Sequence, residues 1–177
     1  MKKLVLLISI ILYAISINAQ NYDQHTPNIK PFAINVATIN KKVGDMGHVT
    51  LDKQYGHVTI PPEFIYGVKK SEKPENKFEQ TQGIIIVHTE FGEYMAFERR
   101  CPLCYYDNNK IGVVSVWTLQ SAICERCQNR MEHIIIFGSG QLTGYHQNMR
   151  TGPRYLDSYL VEETYKDGEH YLVIFPR

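Results

Sequence analysis

The sequence predicts an all-β domain, and three observations carry that expectation. Apolar residues fall in short runs, many of them β-branched. Glycine, proline and asparagine punctuate the chain between those runs. No stretch sustains a helical period, so the architecture reads as packed strands. The chain has 177 residues, 44% of them hydrophobic, which suits one domain with a real core.

The elements follow in order. Met1-Lys2-Lys3 is a basic start, and Leu4–Ile17 is an apolar run broken only by Ser9 and Ser16. That run is short for a membrane span, and Ala19 offers a small residue for cleavage, so residues 1–19 read as a secretory signal. Ile17 stands at the minus-three position, which keeps an uncleaved N-terminal anchor as the alternative. Residues 20–31 are polar, with Pro27 and Pro31, and form a linker. The β domain is expected over residues 32–177. Phe32, Ile34 and Val36 alternate with Ala33, Asn35 and Ala37, the period of a half-buried strand. Val49–Leu51 and Val58–Ile60 are short candidate strands with a turn at Gly56-His57, and Pro61-Pro62 stops the second. Lys69–Gln82 is charged, carries Pro74, and reads as a solvated loop.

Gly83–Thr89 is the most apolar run after the signal and is expected to be a buried strand. Phe91-Gly92 turns it into Glu93–Phe97. Asp107–Lys110 is a turn, Val113–Leu119 a strand, Ile134–Phe137 a strand, and Gln141–Pro153 a loop. Tyr155–Glu163 and His170–Phe175 form a closing hairpin across Lys166-Asp167-Gly168. The core is expected from Ile84, Ile86, Phe97, Leu160, Leu172 and Ile174.

Chemistry concentrates in one place. All four cysteines of the chain form two pairs, Cys101-Pro-Leu-Cys104 and Cys124-Glu-Arg-Cys127, nineteen residues apart. A two-residue gap lets one turn present two thiolates to an ion, and two such turns complete a tetrahedron. Disulfides or a redox dithiol are the competing readings, because an exported chain meets oxidising conditions. A bridge within one C-x₂-C turn would close a very small loop and stabilise little. A dithiol oxidoreductase normally opens a helix, and nothing near Cys104 reads as one. Removing Lys2 and Lys3 with the signal turns 19 basic and 18 acidic residues into an acidic excess of one. That balance makes no electrostatic case for nucleic acid or an anionic membrane.

The order of parts resembles the Rieske fold. The residues that carry the resemblance are Gly83–Thr89, Tyr94-Met-Ala-Phe-Glu-Arg-Arg-Cys-Pro102, the second cysteine pair, Gly138-Ser-Gly140, Gly152-Pro153 and the closing hairpin. The chain is similar in particular to exported Rieske-like proteins of Bacteroidetes type, from about Phe32 to Arg177. The resemblance implies a small antiparallel β-sandwich with a metal-binding subdomain, about residues 98–140, inserted as two C-x₂-C loops. A Rieske centre takes histidine two residues after its first cysteine and three after its second. Leu103 and Cys127 stand there, so cysteines replace the histidine ligands.

Cys101, Cys104, Cys124 and Cys127 are therefore the expected metal ligands. Zinc is the preferred ion, in a closed structural site with no open position for water. A Cys₄ two-iron, two-sulfide (2Fe-2S) cluster or a mononuclear iron is the alternative, and would imply electron transfer. The glycine that often follows such a turn is replaced by Tyr105 and Gln128, with Asn129 as a residue that tolerates left-handed angles. Arg99 and Arg100 are either electrostatic partners of the thiolates or solvated strand-end charges. His133 is the histidine nearest the site in sequence. The tyrosines, Tyr105-Tyr106 among them, are either core and rim residues or a surface for a glycan or a partner protein. Trp117 reads as core. No local nucleophile–base pair, paired carboxylate or phosphate loop points to an enzyme. The expected location is the periplasm, the cell surface or the exterior, and no partner can be named.

Overall fold

The computed structural model describes residues 26–27, 29–43, 51–66, 75, 79–107, 110–116, 121–128, 130–132 and 156–177. It is mostly antiparallel β-structure in two sheets. The strands are β1 (Phe32–Asn35), β2 (His57–Ile60), β3 (Ile84–His88), β4 (Tyr94–Glu98), β5 (Val114–Val116), β6 (Ser121–Cys124), β7 (Arg130–Glu132), β8 (Ser158–Lys166) and β9 (Glu169–Phe175). A curled six-stranded sheet runs β1-β9-β8-β4-β3-β2, and a three-stranded sheet runs β5-β6-β7. Both cysteine pairs belong to the stretch of chain between β4 and β8, which includes the smaller sheet.

The run Ile84–Val87 is uninterrupted because β3 is buried on both faces. Side chains alternate across a strand. Ile84 and Ile86 pack with Val58, Ile60, Ala96, Leu172 and Ile174 on one side. Ile85 and Val87 pack with Phe97, Leu103, Val114, Ala122 and Leu156 on the other. Each fully buried isoleucine contributes roughly 1.5–3 kcal/mol relative to exposure. The β3–β4 hairpin turns at Phe91-Gly92, with Gly92 at φ 78°. The β8–β9 hairpin turns on Asp167 and Gly168, at φ 54° and 79°. Two positive φ values between paired Lys166 and Glu169 are what a two-residue hairpin turn requires.

Several expectations change. Ile84, Ile86, Phe97, Leu172 and Ile174 are buried, but Leu160 is 47% exposed on β8 and is no core residue. The chain does contain helix. The first strand ends at Asn35, and α1 (Val36–Val43) follows. The Asn35 side-chain oxygen accepts from the Thr38 N–H at 2.9 Å, an N-cap that starts this helix, and Val36 and Ile39 bury its inner face. Pro62 opens a short helix, α2 (Pro62–Tyr66), at the position where its missing N–H costs nothing. A single π-helical turn covers Leu103–Asp107.

Strands β6 and β7 carry no clear sequence signal, yet they flank the second cysteine pair. His57 lies in β2 rather than in a turn, and Leu51 lies in a turn rather than a strand. Val49, Trp117, Ile134–Phe137, Gly138-Ser-Gly140 and Gln141–Pro153 lie outside the described residues, as do residues 1–19, expected to be a signal, and most of residues 20–31. Among the described residues, no helix is long and apolar enough to cross a membrane.

Candidate metal centre

The first cysteine turn begins where β4 ends. The main chain leaves β4 under tight control: the Glu98 N–H bonds to Asp157 O at 2.8 Å and the Cys101 N–H to Gly112 O at 2.8 Å. Arg100 and Val113 form an isolated bridge that ties this exit to the smaller sheet. Cys104 then falls in the π-helical turn. In the second pair, Cys124 closes β6 and Cys127 stands in the turn between β6 and β7.

The two turns share one device. The Tyr105 N–H bonds back to Cys101 O at 3.0 Å, and the Gln128 N–H bonds back to Cys124 O at 2.9 Å. In each turn the fourth residue after the first cysteine closes a helical ring beneath the sulfurs. Gln128 sits at φ 59°, so glutamine takes the left-handed position that glycine often fills, and Asn129 lies outside the described residues. The Gln128 side-chain amide repays part of that cost by donating to Glu125 O at 2.8 Å. The Cys127 N–H also points at the Cys124 sulfur, 3.5 Å away.

The four sulfurs lie within 4.8 Å of one another. Cys101 Sγ is 3.7 Å from Cys127 Sγ, and Cys104 Sγ is 3.8 Å from Cys124 Sγ. None of the four is bridged in a disulfide. A tetrahedron with metal–sulfur bonds of about 2.3 Å has edges of about 3.8 Å. The structure thus brings together all four expected ligands in an arrangement that can hold a metal ion. Cys101, Cys104 and Cys124 are buried, and Cys127 is half-buried.

Electrostatics of the bare thiols are uneven. The adjacent Cys124 sulfur, then burial, pushes the Cys101 thiol up. Burial pushes Cys104 up to about 12. The neighbouring Cys101 thiol holds Cys124 down to about 5. Uncompensated thiolates in such a pocket repel, and a cation among them removes that cost.

The sulfurs are walled by apolar side chains. Leu103, Val114, Ala122 and Leu156 surround them, continuous with Ile85, Val87 and Phe97 of the main sheet. The first turn is part of that wall, since Cys101, Pro102, Leu103 and Cys104 are all buried.

Two further contributors have no local signature. Gly112 is one. A side-chain methyl there would meet Cys104 Sγ at 2.6 Å and Cys124 Sγ at 2.9 Å. The other is a buried polar cluster at the root of the first turn. Glu98 accepts hydrogen bonds from the Thr81 hydroxyl at 2.7 Å, the Tyr159 hydroxyl at 2.6 Å, the Gln82 N–H at 2.8 Å and the Arg100 N–H at 3.1 Å. Burial pushes its carboxyl above the ordinary range, and these donors pull back.

The arginines are not solvated strand-end charges. Arg100 is 3% exposed, pairs with Asp157 at 3.2 Å, and lies over the Tyr105 ring at 3.9 Å. Arg99 donates to Val114 O at 2.9 Å and to Ser115 Oγ at 3.2 Å. Both hold backbone and neighbouring elements in place. His57, His88 and His170 lie outside the sulfur group, His88 stacked on Tyr94 and His170 beside Glu163 at 3.1 Å. His25, His48, His133 and His146 lie outside the described residues. Comparison with known protein-family models finds none that matches the chain, and comparison with curated proteins finds none similar.

Proposed function

We propose that this chain is an exported, Rieske-like β domain whose four cysteines hold one zinc ion in a structural, non-enzymatic site. The observation that carries the reading is the pair of cross-turn sulfur contacts, 3.7 and 3.8 Å, at the edge length of a single-ion tetrahedron. A cluster of two irons would spread its four thiolates by the added iron–iron separation. The mutual approach of all four sulfurs favours one ion instead. Four thiolates leave no position for a reacting water, which supports a structural role. The Rieske likeness is supported by the placement of both cysteine turns between β4 and β8, with their own small sheet. Export is supported by the basic start and apolar run of residues 1–17.

The test is elemental analysis of the protein purified anaerobically from its native compartment. One zinc per chain is expected. Neither zinc nor iron near one equivalent would end the metal reading.

A second reading replaces zinc with a mononuclear iron that transfers electrons. The N–H of Cys127 aimed at the Cys124 sulfur favours it, because such contacts tune redox metals through their thiolates. A coloured protein with a reducible visible spectrum would select it over zinc.

A further inference from the structure

We propose that the same four thiols form a paired oxidative switch that closes across the two turns, as Cys101–Cys127 and Cys104–Cys124. The inference rests on the thiol group assigned to the metal, and it concerns which bonds form when those thiols are oxidised.

The pairing follows from the contacts. The 3.7 Å and 3.8 Å approaches both run between turns, and each sulfur has such a contact on the opposite turn. A disulfide needs a sulfur–sulfur distance of about 2.05 Å, so each pair has to close by about 1.7 Å. Bridging within a turn would close only a small ring. The cross-turn bonds instead tie the exit of β4 to the β6–β7 hairpin, and larger rings restrict the unfolded chain more.

Burial sets an order. Cys127 is the half-buried member of the group, so it is the sulfur that a soluble oxidant reaches. With a low-molecular-weight disulfide as oxidant, the Cys127 thiolate attacks one sulfur and expels one thiolate, leaving a mixed disulfide. The Cys101 thiolate then attacks Cys127 Sγ and expels the second thiolate. Two electrons pass from the protein to the small disulfide, which leaves as two thiolates. Loss of two of the four ligands frees the ion, and a second small disulfide then oxidises Cys104 and Cys124 by the same two exchanges but more slowly, because both are buried. The product is a metal-free domain whose turns remain cross-linked, a form suited to an oxidising compartment.

The experiment uses the full chain, reduced, stripped of metal by a chelator, and treated with oxidised glutathione. Samples are quenched over time, free thiols are alkylated, and the protein is digested with trypsin without reduction. Cleavage after Arg100, Lys110, Arg126 and Arg130 gives the peptides Cys101–Lys110, Ile111–Arg126 and Cys127–Arg130. The expected first product joins Cys101–Lys110 to Cys127–Arg130. The expected final product joins all three, with fragmentation between Leu103 and Cys104 placing Cys127 on Cys101. An internally bridged Cys101–Lys110 peptide would overturn the proposal, as would the exchanged pairing Cys101–Cys124 or the absence of any protein disulfide. A parallel zinc titration of the reduced protein separates the two ideas. Zinc binding with within-turn bridges defeats the switch alone, and cross-turn bridges without zinc binding defeat the metal reading alone.

Discussion

Gly112 lies so close to Cys104 that a methyl on its Cα would stand 2.6 Å from the Cys104 sulfur. The same methyl would stand 2.9 Å from Cys124 Sγ, so one position presses on both turns. The sulfurs have little room to retreat, because Cys104 and Cys124 are buried against Leu103, Val114 and Ala122. Overpacking of this kind costs about 1–3 kcal/mol. Gly112→Ala is expected to weaken metal binding by roughly tenfold or more, since about 1.4 kcal/mol is one decade. Competition against a chromogenic chelator measures this. Unchanged affinity would show that the turns can move apart freely.

Asp157 anchors the first turn from 57 residues away, through Arg100. Both side chains are nearly inaccessible, at 3% and 5% exposure. Removing one partner of a buried pair leaves the other charge uncompensated, which costs about 3–5 kcal/mol. Asp157→Ala is expected to lower the urea midpoint by that amount in free energy. A loss below about 1 kcal/mol, the size expected of an exposed pair, would mean that water reaches Arg100.

Glu98 makes stability depend on pH in an unusual direction for a carboxylate. Burial raises its folded-state pKa above the ordinary value of 4.5. Its neutral form is therefore favoured by folding. The contribution is fully present below that ordinary value and is lost as pH rises through the raised one. Glu98→Gln removes this titration. Wild-type stability is expected to fall relative to the variant between pH 4 and higher pH, in urea titrations of metal-free protein. The cysteines titrate alike in both proteins and cancel in the difference. A flat difference, or one of opposite sign, would show that the four donors outweigh burial.

Much of this was legible in the sequence, and the remainder was not for physical reasons. The C-x₂-C spacing located the sulfurs because a turn that presents two ligands is a local object. The β3–β4 hairpin and the Asp167-Gly168 turn were legible for the same reason. Gly112 was not, because its requirement comes from the sulfurs of Cys104 and Cys124 across the fold. Glu98 and Tyr159 are 61 residues apart, and nothing in a single strand pattern marks a buried carboxylate that finds its donors on other segments. Helix α1 was missed because it has eight residues and follows an alternating strand without a break. Its visible signal was Asn35 as an N-cap. Leu160 fitted the strand alternation, yet it lies on the exposed face of β8.

Loss of one ligand should be felt unevenly. Cys124→Ser is expected to speed amide exchange at Cys101, Val114 and Glu125, whose bonds to Gly112, Arg99 and Val113 join the turns to the sheets. The β8–β9 hairpin shares the opposite core with Leu172 and Ile174 and should keep its protection. Equal acceleration in β8 and β9 would show that the sulfur group and the main sheet unfold as one unit.

The most direct measurement of the central claim is a cobalt(II) titration of the reduced, metal-free protein under anaerobic conditions. Cobalt reports geometry through its visible bands and thiolate ligation through sulfur-to-metal charge transfer. The account predicts saturation at one cobalt per chain, intense tetrahedral bands, full displacement by one zinc, and charge transfer that weakens when any of Cys101, Cys104, Cys124 or Cys127 is replaced by serine. Saturation at two ions, octahedral bands, or a spectrum indifferent to any one of the four substitutions would contradict it.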